Sequence, residues 1–156
     1  DLLPGLAELG LGRLVLDGSS SLFQQLVHAE IARVDLSLSA LVGIHNELNL
    51  GMIAHLVPAV LLPLSAGTLG FVGSLIIYLI YKDRGPFVRA HAANSLNVQI
   101  ITAIALLLSS VLMIVLVGFL LYPLVIVVAT VIHVLGAVKA NNGEWWTPPL
   151  TPQLVK

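Results

Sequence analysis

Between Arg89 and Lys139 the chain carries no formal charge, and most of that interval is Ile, Leu, Val, Ala and Met. A soluble protein of 156 residues has too little interior to hide it. Drawn as one helix, Ile100–Val138 would measure roughly 58 Å at ~1.5 Å per residue, about twice a ~30 Å hydrocarbon core. The segment must therefore fold back on itself inside a membrane. Gly118 and the pair Tyr122-Pro123 are the breakers near its middle, and they divide it into spans over 98–117 and 119–138.

Composition agrees: 58% of residues are hydrophobic and 10% charged, against roughly a quarter charged in an ordinary soluble domain. Seven Lys plus Arg scattered along the chain form no basic stripe, which argues against nucleic acid as a partner. With no cysteine there is no disulfide framework, thiolate nucleophile or cysteine metal site. The chain opens on Asp1 and shows no short basic-then-apolar leader, so a trimmed or processed N-terminus is expected.

A second uncharged interval, Gly51–Tyr81, is too long for one upright crossing and too short for two full ones. Pro58, Pro63 and Ser65-Ala66-Gly67 predict a break that leaves segments over 52–64 and 68–81. They form a short hairpin, crossing a thinned bilayer or packed on the longer pair; the alternative is one tilted, proline-kinked helix. The expected fold is thus all-α, with four transmembrane helices in two hairpins over residues 51–156. A short amphipathic helical region over residues 1–50 precedes them on the cytoplasmic side. In that region Asp17-Gly18 and Ser19-Ser20-Ser21 read as a turn and N-cap. Leu22, Phe23, Leu26, Val27, Ile31 and Val34 then recur at helical spacing. Residues 36–44 alternate ambiguously, and helix is favoured because a lone strand has no bonding partner.

Lys82, Arg84 and Arg89 cluster between the hairpins and Lys139 closes the last span, while the two outer turns hold no charge. By the positive-inside rule this end is cytoplasmic, and both termini with it; Arg13 and Arg33 agree. Tyr78, Tyr81, Phe119, Tyr122, Trp145 and Trp146 fall where amphipathic rings anchor at the interface. Pro86 suits a first helical turn, and the amphipathic stretch from Phe87 predicts a helix lying on the interface or rising from it into the third span.

Walker A, H-E-x-x-H and G-x-S-x-G signatures are absent, and the C-terminal two-thirds holds only Asp83 and Glu144 as acids. No enzyme, cofactor or metal is expected. The remaining chemistry lies in polar groups at membrane depth: His55, His91, Asn94, Asn97, Gln99 and His133, with Ser109 and Ser110. Such groups face a protein interior or a wet cavity, so His55 and His133 either bond neighbouring helices as neutral rings or line a proton-linked path. His91, Asn94 and Ser95 share a helical face that either bonds the break in the first hairpin or meets interfacial water. Ala66, Gly70 and Ser74 form a small-xxx-small row for close helix packing, within the chain or between chains.

Three stretches together resemble a known family: Met52-Ile53-Ala54-His55-Leu56; the centre from Ile76 to Ile100, with Tyr81-Lys82-Asp83-Arg84-Gly85-Pro86-Phe87-Val88-Arg89-Ala90-His91; and Ala137-Val138-Lys139-Ala140-Asn141-Asn142-Gly143-Glu144-Trp145-Trp146. They are similar to small four-helix bacterial membrane proteins related to the Tic-twenty component of the chloroplast inner-envelope translocon. The family often has an aromatic residue at the place of Val98 and Tyr pairs at the place of Trp145-Trp146. Gly12-Arg13-Leu14-Val15-Leu16-Asp17 is similar to a short actinobacterial cytoplasmic helical domain, which continues with Glu-Phe where this chain has Gly18-Ser19. The resemblance implies a four-helix bundle in a bacterial plasma membrane and, by analogy, a protein-translocation role. The expected function is a non-enzymatic subunit or scaffold of a membrane complex, partnered by lipid and by other membrane subunits or itself. The alternative is a small oligomeric channel or proton-linked carrier using His55, His91 and His133.

Overall fold

A computed structural model describes residues 21–156. The turn and cap read at Asp17–Ser20, Arg13 and the Gly12–Asp17 motif lie outside the described residues. The described chain is helical, in the order α1 (Ser21–Leu64), α2 (Thr68–Tyr81), α3 (Pro86–Leu112), a 3₁₀ turn (Met113–Val115) and α4 (Gly118–Asn141). The chain falls into two units, the first ending at Gly43 and the second running from Ile44 to Lys156.

In the first unit, side chains 24–43 are exposed. Ser37 and Ser39 turn their hydroxyls back onto the carbonyls of Arg33 and Leu36, and Arg33 pairs with Glu30 at 3.3 Å. The ambiguous stretch 36–44 is helix.

The second unit is a helical bundle with polar side chains at its centre. Its first hairpin reverses at Ser65-Ala66-Gly67, where Ala66 and Gly67 both take positive φ. A Cβ on Gly73 would lie 2.9 Å from Leu61, and one on Gly70 3.0 Å from Leu62, so α2 runs back along α1. That settles the hairpin against the single kinked helix. Pro58 lacks the N–H that would have bonded the Ala54 carbonyl, and the Ser95 hydroxyl donates to that carbonyl instead, at 2.6 Å. Ser74 Oγ lies 3.0 Å from Ser95 Oγ and supplies the proton of that contact, since the Ser95 proton is engaged.

Among the described residues three helices are long and apolar enough to cross a membrane: α1 over Gln24–Leu64, α3 extended through Val115, and α4. The expectation of four crossings is thus met only in part. At 14 residues α2 measures about 21 Å, short of a ~30 Å core. Its turn also ends early. Gly67 abuts Leu106, and the Tyr122 hydroxyl donates to the Ala66 carbonyl at 2.7 Å, so the first hairpin stops about 10 Å before the α3–α4 turn. The α-helix of the third span ends at Leu112 and continues to Val115 only as a 3₁₀ turn, short of the expected 117. The reversal is made by the 3₁₀ turn and Leu116 at φ 67, and Gly118 is required there because a Cβ would collide with the Ser109 carbonyl oxygen. Pro86 takes the first turn of α3, and the amphipathic stretch after it continues into the span as one helix.

The tail after α4 is the part of the fold least visible in the sequence. It turns at Gly143 (φ 73) and descends along α3: His91 Nε2 donates to the Glu144 carbonyl at 3.1 Å, and Asn94 Nδ2 donates to the Trp146 carbonyl at 2.5 Å. Pro149, Leu150 and Thr151 then line a cavity with Val98, Ile101 and Thr102 of α3 and with Val128 and Ile132 of α4. Those positions lie roughly 10–20 Å along their helices from Lys139 and Arg89. The chain returns so that Asn97 clamps Val155 from both sides, accepting from its N–H at 2.8 Å and donating to its carbonyl at 2.9 Å. Arg89 Nε and Nη2 and the Tyr78 hydroxyl close on the main-chain oxygen of Lys156 at 3.0–3.1 Å.

Non-helical backbone at membrane depth is tolerated only where its polar groups are met by protein. Here α3 meets them from one side, and Pro148, Pro149 and Pro152 remove three N–H donors that would have needed partners. The polar stripe on α3 is the tail's docking ladder.

Candidate functional site

The intramembrane polar residues expected from the sequence divide into two groups. Arg89, His91, Asn94 and Asn97 hold the tail. His55, Gln99 and His133 meet at the bundle centre, each at or near zero exposure. Gln99 Nε2 lies 2.9 Å from His133 Nε2, and His133 Nδ1 lies 3.4 Å from His55 Nδ1. The His55 ring stands edge-on to His91, with centroids 5.5 Å apart, and to Trp146, at 5.6 Å.

Partner chemistry assigns the protons of the neutral rings. The Gln99 amide donates to His133 Nε2, so His133 carries its proton on Nδ1 and directs it at His55 Nδ1, leaving the His55 proton on Nε2. The Glu144 carbonyl can only accept, so the His91 proton is on Nε2 and its Nδ1 is a lone pair. His55 Nε2 and His91 Nδ1 are buried without a partner, one a donor and the other an acceptor, and Thr130 Oγ1 is also unpartnered. The centre therefore runs from Gln99 through His133 to His55, faces His91 across a short gap, and ends at the tail. Ser109 and Ser110, nearer the outer turn, bond their own helix at Ala105 and Leu106 and add nothing to it.

Two glycines make room for these contacts. A Cβ on Gly70 would stand 2.9 Å from Gln99 Nε2, so Gly70 and Ser74 of the small-residue row face α3 within the chain, while Ala66 sits in the turn. Gly136 lets His55 and Trp146 approach α4, and the sequence reading passed over it. Of the face His91, Asn94 and Ser95, it is Ser95 that bonds the first hairpin. The tail from Glu144 onward was missed as a bonding element; the signal was Asn94 and Asn97 three residues apart, with prolines waiting downstream.

At the charged end Lys82 caps α2, and Arg84 bonds back to Tyr81, which packs beside Ala54, Ile77 and Ala92. Trp145 is exposed and edge-on to Phe87. Lys139 bridges Glu144 at 2.6 Å, and this bond, with a second from Asn142, holds the Glu144 carboxyl below the usual carboxylate range. A depressed folded-state pKa makes the bridge's contribution full above the ordinary carboxylate pKa, and it is lost as pH falls through the lower folded value. Acidification below the ordinary carboxylate range should therefore loosen the tail's first turn, read as a change in Trp145 fluorescence, and Glu144→Gln should remove that pH dependence.

Among the described residues no group of three or more His, Cys, Asp or Glu is placed to hold a metal ion. A family profile described as the magnetosome magnetite crystal formation protein family, MamF/MmsF, matches residues 46–155, the greater part of the chain. The chain belongs to this family. Its matched region covers the second unit from α1 to the returning tail, and the protein is an integral membrane protein. Membership of the MamF/MmsF family corrects the resemblance to Tic-twenty-like proteins, and the translocon role implied by that resemblance goes with it. What misled is general to short apolar hairpins: small residues at close contacts and a charged Gly-Pro connection. No curated protein and no solved structure matches the chain.

Proposed function

We propose that the protein is a non-enzymatic scaffold or complex subunit of a bacterial membrane, serving the magnetite-forming membrane for which its family is described. The observation that carries this reading is the use of the polar groups. Arg89, His91, Asn94 and Asn97 are engaged in holding one segment of the same chain, and farther out Thr102, Ser109 and Ser110 turn their hydroxyls onto their own helix. A conduit needs polar groups across the whole bilayer. A scaffold needs a rigid interior and an outer surface free to meet lipid or partners, and the exposed apolar faces of α2, α3 and α4 suit that.

In this reading Lys82, Arg84, Arg89 and Lys139 face the cytoplasm. Partners are other membrane subunits or further copies of the chain. The test pairs two measurements. Extraction in mild detergent from the native membrane should recover stoichiometric partner proteins, and the pure chain in liposomes should show no pH-dependent ion flux. Flux that disappears in the double variant His55→Leu/His133→Leu would replace the scaffold by a histidine-based carrier.

A further inference from the structure

The second unit is broad at its charged end and narrow at the other. At the charged end a Cβ on Gly51 of α1 would lie 3.0 Å from Phe87 of α3 and 3.3 Å from Ala140 of α4, and α2 ends there too, joined to α3 by residues 82–85. Four helices and the returning tail therefore share that half of the bundle. The first hairpin stops where Gly67 abuts Leu106, and over the last stretch of about 10 Å the described chain consists of residues 107–121 alone. Four helices about 10 Å across present roughly 300 Å² of cross-section, and two present half of it. The narrow end is bare on its flanks, with Ile114 85% exposed and Leu116 and Leu120 both 75%. No residue from 111 to 121 carries a charged or hydrogen-bonding side chain.

We infer that the bundle is a wedge in the bilayer, broad in the leaflet of its charged end and narrow in the opposite one, and that it concentrates on curved membrane whose convex leaflet holds the charged end. The turn of the short hairpin is a second, independent observation. Its backbone is sealed: the N–H groups of Ser65, Ala66, Gly67 and Thr68 all reach carbonyls within the hairpin, and the Leu69 N–H donates to Ser65 Oγ at 2.8 Å. The Ala66 carbonyl takes the Tyr122 hydroxyl. Irregular backbone survives at hydrocarbon depth only where its polar groups are met in this way. A turn so closed needs no water, and the far leaflet can cover the short hairpin without thinning down to it.

Anchoring follows the same asymmetry. Lys82, Arg84, Arg89 and Lys139 fix the broad end among headgroups, and nothing fixes the narrow end. In a flat bilayer the broad end crowds the lipids of its own leaflet. Bending that leaflet outward supplies the area it takes, while the narrow end suits the opposite leaflet, which has lost area. With the charged end cytoplasmic, as proposed above, the favoured membrane bulges into the cytoplasm.

The test uses the full chain with a fluorophore on Asn141→Cys, an exposed position close to Lys139, in giant phosphatidylcholine vesicles from which lipid tethers are drawn. A membrane-impermeant quencher separates chains with the charged end outside from those with it inside. The former should be enriched in the tether over the parent vesicle by roughly threefold, a scale of sorting that modest bilayer mismatch produces, and the latter depleted. Equal density in both orientations, or enrichment in both, would overturn the wedge. Amphipathic helices also gather on curved membrane, so Ile31→Asp/Val34→Asp, which breaks the apolar row of the first unit and leaves the bundle alone, should keep the enrichment. Its loss in that chain would assign the sorting to the first unit and overturn the wedge as well. A nitroxide at Ala66→Cys reads the step between the hairpins in a flat bilayer: it should meet oxygen and not a water-soluble nickel complex. Collision with nickel would bring water down to the turn, and shielding from both reagents would mean that protein fills the step; either removes the narrow end. These outcomes leave the scaffold reading untouched, since that rests on partners and flux.

Discussion

Replacing Asn94 and Asn97 together by Leu should release the C-terminal tail while leaving the four helices in place. The double change orphans the Trp146 carbonyl and both backbone groups of Val155, at roughly 1–3 kcal/mol for each buried group left unmade. Leu is close in size to Asn and suits a span interior, so the helices themselves lose little. Pro148 is a buried residue of the docked tail, and the chain has no cysteine of its own, so Pro148→Cys reports release directly. Labelling at that position should be slow in the parent and faster by at least an order of magnitude in the double variant. Unchanged labelling would mean that the prolines and Pro148 packing, not the α3 ladder, hold the tail.

Gly136→Ala should destabilise the bundle, although the same change in an open helix would stabilise it. The added Cβ would stand 2.6 Å from His55 Nδ1 and 2.7 Å from both His55 Cε1 and Trp146 Cζ3. These are atoms of two rings that hold the centre and the tail, and neither can yield without breaking His55 from His133 or lifting Trp146. Overpacking of this kind costs about 1–3 kcal/mol, against a helix-propensity gain of at most ~1 kcal/mol. Gly43→Ala is the control, since nothing lies within 4 Å of its added Cβ and the position is exposed. It should raise the helix's resistance to unfolding by a few tenths to ~1 kcal/mol. Thermal unfolding in detergent, followed by circular dichroism, would show both signs. Two variants that shift the midpoint in the same direction would mean that His55 and Trp146 have room to move.

The sequence made the helices and their breaks legible because each rests on a local rule. Uncharged length shows that each apolar interval must fold back, Ser65-Ala66-Gly67 and Gly118 mark where the chain turns, and Pro86 marks where α3 starts. Ser95 bonding the carbonyl freed by Pro58 was half visible: the need was local, but the donor lies 41 residues away. The length of the first hairpin relative to the second was not legible, because it depends on where Gly67 meets Leu106 and Tyr122 meets Ala66. The histidine centre was legible in its members and not in its geometry, since His55, His91 and His133 come from three helices. The tail was read as an interfacial end, because Trp145-Trp146 beside Lys139 is an interface signature and nothing local says that the next residues descend.

The central claim is that the segment after Trp146 re-enters the membrane region and is held there by α3. A nitroxide attached at Leu150→Cys tests it most directly, since Leu150 lies at the tail's apex, almost fully exposed on the bundle's outer face. In a reconstituted bilayer, power saturation should find this label accessible to oxygen and shielded from a water-soluble nickel complex, at a depth below Arg89 and Lys139. A label collided with by the nickel complex and hidden from oxygen would place the tail in water, and the ladder of His91, Asn94 and Asn97 would need another occupant.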